Sequence, residues 1–190
     1  MKIVFATGNK NKVAEARQIL GNQYELLSLV DIGCTEEVPE TQATLEGNAI
    51  QKAQYVVDNY QLDCFSEDAG LEVFALDNAP GVYSARYAGP QRNHDDNMDL
   101  LLQNLEGKSN RAAQFRAVIA LHQNGTIHTF EGIVKGKIIS ERRGTDGFGY
   151  DPIFVPDGYE TTFAEMTKAE KAKISHRGQA VRKLMAFLKE

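Results

Sequence analysis

The chain has 190 residues, 42% of them hydrophobic and 25% charged, with a formal charge of -5 and no tryptophan. That length predicts one domain over residues 1–190 with a sizeable core, and leaves a two-lobed arrangement open. The acidic balance, with an isoelectric point near 5.5, argues against a general nucleic-acid binder, which needs a basic face. It leaves room for a small anion held by a local group of cations.

Taken in chain order, residues 2–6 read as an apolar strand and residues 10–20 as a helix with Val13, Ala16 and Leu20 on one face. The opening has no long apolar run, so neither a leader nor a membrane span is predicted, and a cytoplasmic protein is expected. Residues 24–29 read as a second strand and 31–43 as an acidic loop with Glu36, Glu37 and Glu40. A long helix is predicted over 44–60, its buried stripe formed by Ala49, Ala53, Val56, Val57 and Tyr60. Two short strands, 62–65 and 71–76, flank a turn at Ser66-Glu67-Asp68-Ala69-Gly70. A helix follows over 94–106. Asn124-Gly125 then joins strands over 111–122 and 126–133 as a hairpin, and a third strand is predicted over 135–141. Val181, Leu184, Met185 and Leu188 mark a last helix. Early alternation of strands and helices followed by an antiparallel meander predicts an α/β class with mixed sheets, two lobes and a cleft.

The strand-to-helix junction Thr7-Gly8-Asn9-Lys10-Asn11-Lys12 is the most informative stretch. A helix start at the carboxyl edge of a sheet offers unpaired backbone N–H groups to an anion. Gly8 permits close approach, Thr7 and Asn9 add polar side chains, and Lys12 adds a cation. The plainer reading is an ordinary connection with Asn9 as N-cap. Downstream, Glu67 and Asp68 close an apolar segment, and Asp68 is the better candidate for a metal-bound or proton-accepting carboxylate. Glu40 could help hold a divalent cation, and Lys52 could neutralise phosphate charge. Each also reads as an ordinary solvated side chain.

Gly147-Phe148-Gly149-Tyr150-Asp151-Pro152 offers a flexible backbone, a flat aromatic face and an acceptor for a heterocycle, or equally a glycine-rich turn with core aromatics. Lys171 and Ser175-His176-Arg177-Gly178 could meet a phosphate or the edge of a base, or Ser175 could simply cap a helix. Gly132-Ile-Val-Lys-Gly136-Lys137 is one residue short of a P-loop and lacks its hydroxyl at Ile138. Cys34 and Cys64, thirty positions apart, match no metal-ligand spacing and read as reduced buried thiols. Carboxylate ligands to magnesium or manganese are therefore expected over zinc.

The segments FATGNKNK, LEGNAIQKA, SEDAGLEV, APGVYSARYAG, GTDGFGYDPIF and EKAKISHRGQA occur in that order from Ile3 to about Arg182. Together they resemble the inosine triphosphate pyrophosphatase family. The resemblance implies an elongated mixed α/β fold with two lobes flanking a central nucleotide cleft, and a homodimer. It implies hydrolysis of inosine, deoxyinosine or xanthosine triphosphate to monophosphate and pyrophosphate with Mg2+, without nucleic-acid or membrane partners. Carried onto this chain, Thr7, Gly8, Asn9, Lys10, Asn11 and Lys12 would hold the triphosphate with Lys52. Glu40 and Asp68 would hold the metal, with Asp68 the proton acceptor. Phe148, Gly149, Tyr150, Asp151, Lys171, His176 and Arg177 would surround the nucleotide, the last two near the base. Glu67 stands where the family mostly has Asp. Ala69 replaces a frequent Ser but keeps a backbone N–H for the substrate, and Gly47 replaces a frequent Glu. Two other readings stay open: a pyrophosphatase for modified pyrimidine or standard nucleotides, and a nucleotide sensor without turnover.

Overall fold

The computed structural model describes residues 2–189. The chain divides into two compact units, the first comprising Met1–Asp68, Ala117–Gly132 and Arg177–Glu190, the second Ala69–Arg116 and Ile133–His176.

In the first unit, β1 (Lys2–Phe5) pairs in parallel with β2 (Glu25–Leu27) and with the start of β3 (Cys64–Val73). Parallel neighbours need long crossovers, and α1 (Lys10–Leu20) and α2 (Leu45–Tyr60) lie within them. α1 buries Val13, Ala16 and Leu20, as its spacing predicts. Thr44 caps α2 by accepting the Gly47 N–H, and Gln61 ends the helix in the left-handed region at φ 54°. Phe5 and Phe65 stack with ring centroids 4.4 Å apart where β1 meets β3. Residues 117–123 of β5 (Ala112–Gln123) and 126–132 of β6 (Thr126–Ile138) belong to this unit, the rest of both strands to the second. The two strands are joined by Asn124 and Gly125 at φ 50° and 78°, the positive values a tight hairpin turn requires. α5 (His176–Phe187) closes this unit with Ala180, Val181 and Leu184 buried.

The second unit holds the rest of β3, β4 (Ala79–Pro80), α3 (His94–Asn104), β7 (Phe154–Pro156) and α4 (Lys168–Ile174). Its core joins Leu71, Val73, Leu101, Phe115, Phe154 and Phe163. Gly70 has to be glycine, because a Cβ there would run into the Gly81 carbonyl. The strands are hydrogen-bonded in the order β2-β1-β3-β5-β6-β7, with β4 on β3, in one mixed sheet. A mixed α/β fold is therefore observed. Among the described residues no helix is long and apolar enough to cross a membrane.

Several expected boundaries are corrected. The two short strands around residues 66–70 are one continuous β3, because Glu67 and Asp68 find buried partners instead of turning to water. The third strand expected over 135–141 is the far end of β6, which runs to Ile138 and pairs antiparallel with β7. Second-strand pairing shrinks to Glu25–Leu27, with a short 3-10 turn at Val30–Ile32 inside the acidic loop. Lys171 lies within a helix of its own, α4, whose Thr167 and Glu170 form a reciprocal capping box. Ser175 ends that helix, its N–H donating to the Lys171 carbonyl.

Candidate active site

The junction after β1 is held by its own side chains. Thr7 is buried, and its hydroxyl accepts the Asn9 N–H at 3.2 Å. The Asn9 side chain accepts the N–H groups of Asn11 at 3.0 Å and Lys12 at 3.3 Å, so it is the N-cap of α1. Gly8 faces open space: a Cβ there would meet nothing within 4 Å, so no protein packing requires the glycine. Lys10 and Asn11 are exposed.

Lys12 extends from the first turn of α1 to Glu67, its Nζ lying 3.4 Å from the carbonyl and 3.5 Å from the carboxylate. Beside it, Lys52 projects from the buried face of α2. Its Nζ donates to Glu40 Oε1 at 2.6 Å, to the Glu67 carbonyl at 2.8 Å and to Asp68 Oδ1 at 3.0 Å. The other Asp68 oxygen accepts the Asn48 amide at 3.2 Å. Asp68 is nearly buried, whereas the Glu40 side chain is 32% exposed and is the carboxylate of this pair open to water.

The two lysines titrate in opposite directions for one reason. Burial disfavours the charge of both, but Lys52 lies between Asp68 and Glu40, whose attraction outweighs that penalty and raises its pKa. For Lys12 burial wins and the pKa falls. Glu67 is its main attraction, and Lys52 and Arg177 repel it.

Glu67 owes its burial to Arg177. The guanidinium donates through Nε at 2.7 Å and through one terminal nitrogen at 2.8 Å to the two Glu67 oxygens, a fork-to-fork pair. Its other terminal nitrogen meets Glu15 of α1. Burial opposes the arginine's charge, yet Glu67 and Glu15 together push its pKa up. Of the two residues expected beside a base, Arg177 thus has its guanidinium on carboxylates. Lys12, Lys52 and Arg177 face Glu15, Glu40, Glu67 and Asp68, so carboxylates outnumber cations four to three.

A second group lies within the second unit. Asp151 is buried, and its Oδ2 accepts the Phe148 N–H at 2.9 Å and the Lys171 ammonium at 2.6 Å. The Lys171 nitrogen also stands 5.1 Å from the Phe148 ring centre and 5.6 Å from that of Phe163, within cation–π range of both. Gly147, at φ 77°, leaves the space into which the Asp151 carboxylate packs. Tyr150 is buried and donates its hydroxyl to the Ser84 carbonyl at 2.8 Å. Gly149 N–H donates to His94 Nδ1 at 3.3 Å. His176 is 5% exposed and stacks on Phe115, the rings 4.8 Å apart and tilted by 10°. Ala69, half-buried, is the first residue of this unit.

Expected residues thus fall into two groups, Thr7 to Lys12, Glu40, Lys52, Asp68 and Arg177 in the first unit, and Ala69, Phe148 to Asp151, Lys171 and His176 in the second. Sequence reasoning missed Asn48, Glu15 and His94. Asn48 was within reach: it is four residues before Lys52, so the two share a helix face. The observed stripe of α2 is Leu45, Asn48, Ala49, Lys52, Ala53 and Val56, and the expected Val57 and Tyr60 are only half-buried. Glu15 and His94 carry no local signal, because their partners lie 162 and 55 residues away.

For a divalent cation the donor set is oxygen, from Glu40 and Asp68. Among the described residues no three His, Cys, Asp or Glu side chains are grouped as a complete metal site. Two carboxylates completed by phosphate and water suit magnesium, which keeps several waters and is seldom caged by protein alone.

Comparison with known proteins agrees with the geometry. Residues 3–187 match the Ham1 family. The chain is 56% identical over 189 residues to a dITP/XTP pyrophosphatase of Flavobacterium psychrophilum, covering 100% of both chains. It is 54% identical over 188 residues to the protein of that name from Flavobacterium johnsoniae, covering 99% of this chain and 98% of the other. The solved structure of the Staphylococcus aureus Ham1 protein superposes with a TM-score of 0.90 at 37% identity, covering 100% of this chain and 98% of that one.

Proposed function

Because the chain belongs to the Ham1 family, we propose that it hydrolyses non-standard purine nucleoside triphosphates, those of inosine, deoxyinosine and xanthosine, to the monophosphate and pyrophosphate. The observation that carries this reading is the convergence of Glu40 and Asp68 on Lys52, in a chain similar along its whole length to dITP/XTP pyrophosphatases.

In this reading the triphosphate is received by residues 7–12. Gly8 allows its approach, the positive end of α1 favours the anion, and Lys10 and Lys12 add charge. Asp68 takes the proton from a water that attacks the α-phosphorus. The bond from that phosphorus to the bridging oxygen breaks, and pyrophosphate leaves with the electron pair. One Asp68 oxygen accepts a bond from Lys52 and the other a bond from Asn48, and a carboxylate has about four acceptor positions in all. It can therefore bind water without first releasing either partner. Lys52 bridges Asp68 and Glu40 and offers its charge to the arriving phosphates. Arg177 neutralises and fixes Glu67, with Glu15 anchoring the guanidinium, and so braces the strand that presents Asp68. Mg2+, held by Glu40 and Asp68, would disperse the negative charge of the reacting phosphates.

The residues of the second unit are assigned to the nucleoside. Phe148 offers its ring face, with its backbone held by Asp151 and Lys171. The backbone N–H groups of Ala69 and Gly149 are assigned to the substrate as well. His176 is assigned to the base, where a donor would match a 6-oxo group and leave the 6-amino group of adenine opposed by another donor. A homodimer and a cytoplasmic location belong to this reading through the family resemblance. Sedimentation equilibrium checks the first.

The deciding experiment follows products by phosphorus NMR with magnesium and a panel of inosine, deoxyinosine, xanthosine, adenosine, guanosine and pyrimidine triphosphates, for the native protein and Asp68→Asn. Pyrophosphate and monophosphate from the first three are expected, falling roughly 10²–10⁴-fold in the variant. Release of orthophosphate, or equal turnover of every base, would overturn the reading. A magnesium-free reaction at the full rate would remove the metal from it.

A further inference from the structure

Residues 33–44 have no regular secondary structure, yet the segment 36–42 is fastened to one face of α2 at five positions. Glu36 accepts the hydroxyls of Tyr55 at 3.0 Å and Tyr60 at 2.6 Å. Thr41 and Gln51 bond reciprocally, N–H to Oε1 at 2.9 Å and Nε2 to hydroxyl at 2.8 Å. Glu40 takes Lys52 at 2.6 Å, and the Gln42 N–H donates to Asn48 Oδ1 at 2.8 Å. Gly47 permits this path, since a Cβ there would stand 2.8 Å from Gln42 Cβ. Where a side chain would otherwise project from the helix, the strap lies against it instead.

Asn48, like Lys52, touches both the strap and Asp68, and it does so through an uncharged amide. Its amide orientation is dictated by chemistry: the Gln42 N–H can only donate, so it takes Oδ1, and Nδ2 is left facing Asp68, 3.2 Å from Oδ2. Asn48 is 1% exposed, and both bonds run between buried or anchored groups. We infer that Asn48 is a positioning residue of the hydrolytic reaction. It fixes the rotation of the Asp68 carboxylate and, through Gln42, the distance from that carboxylate to Glu40. The inference rests on the assignment of Asp68 as proton acceptor, and Asn48 itself touches neither substrate nor metal.

The test uses Asn48→Asp and Asn48→Ala, each alone and combined with Asp68→Asn, in the full chain. Asn48→Asp keeps an acceptor for the Gln42 N–H but turns the donor facing Asp68 into an acceptor. Asn48→Ala removes both bonds and stands in should the aspartate variant fail to fold, which its melting curve reports. In Asn48→Asp, kcat for dITP should fall about 10–100-fold, the range for groups that orient a site's carboxylates, with KM little changed. Deuterium uptake by the 36–42 segment should stay as in the native protein for Asn48→Asp and speed up for Asn48→Ala. On top of Asp68→Asn, the aspartate should cost nothing further, because the amide introduced at position 68 can donate to it and restore the bond with reversed polarity. Native kcat in both Asn48 variants, or the same loss with and without Asp68→Asn, would overturn the inference. Native kcat in Asp68→Asn alone would instead remove the assignment of Asp68, and the role of Asn48 with it.

Discussion

The two groups of polar side chains solve the burial of charge in different ways. In the first unit, Lys12, Lys52 and Arg177 are compensated by four carboxylates, brought from α1, the strap and β3. In the second, one pair, Lys171 and Asp151, lies against the Phe148 and Phe163 rings. A dense charge network suits a partner that is itself highly charged and that exchanges for one of the resident ions. An ion pair set against aromatic faces suits a flat, weakly polar partner whose ring stacks. The contrast supports assigning phosphates to the first group and the purine to the second.

That contrast is tested most forcefully at Lys52. Lys52→Met leaves Glu40 and Asp68 facing each other without their cation. Removing one partner of a buried pair costs about 3–5 kcal/mol, so urea unfolding should show a loss of that order, with pyrophosphate release reduced at least a hundredfold. Phe148→Ala should act on the other group. Loss of stacking is worth about 1–3 kcal/mol per base, so KM for dITP should rise roughly 5–150-fold while kcat stays near native. If kcat fell instead, the ring would belong to the chemistry and the division of labour would fail.

His176→Ala should lower stability, since its ring is buried against Phe115, leave kcat for dITP within a few-fold, and narrow the preference for inosine over adenosine triphosphate by about tenfold. An unchanged preference would remove His176 from base reading. The smallest effect is expected at the strap. Glu36 is held at a pKa of about 2, against an ordinary 4.5, first by the Tyr60 hydroxyl and then by its own backbone N–H and Tyr55. A depressed carboxylate stabilises above its unfolded pKa and loses that contribution as the pH falls through the folded one. Acidifying from pH 5 toward 2 should therefore loosen the tyrosine contacts, and Glu36→Gln should abolish this dependence. The near-ultraviolet spectrum of the tyrosines, undisturbed by tryptophan, would follow it.

What could be read from the sequence was whatever depends on near neighbours. Asn124-Gly125 announces the hairpin because both residues tolerate positive φ, and Asn9 announces the start of α1 because its side chain reaches N–H groups two and three residues on. The six family segments brought nearly every candidate residue into view. Reading failed where partners are remote. Glu67 and Asp68 look like turn residues until Arg177, 110 positions away, and Lys52 accompany them into a strand. Lys52 looks solvated on a helix whose apolar stripe was drawn through Val57 and Tyr60, because apolar periodicity cannot announce a polar core. Arg177 gave no sign that carboxylates would claim its guanidinium.

The position of Lys52 also bears on how the protein behaves at rest. Many metal sites become unstable when emptied, since crowded ligands repel and the fold itself leans on the ion. At the two carboxylates proposed to hold magnesium, an ammonium already lies between Glu40 and Asp68, like a pilot light left burning between uses. A protein so built should tolerate chelators and long dialysis with its melting temperature unmoved, and recover full turnover when magnesium and nucleotide return together.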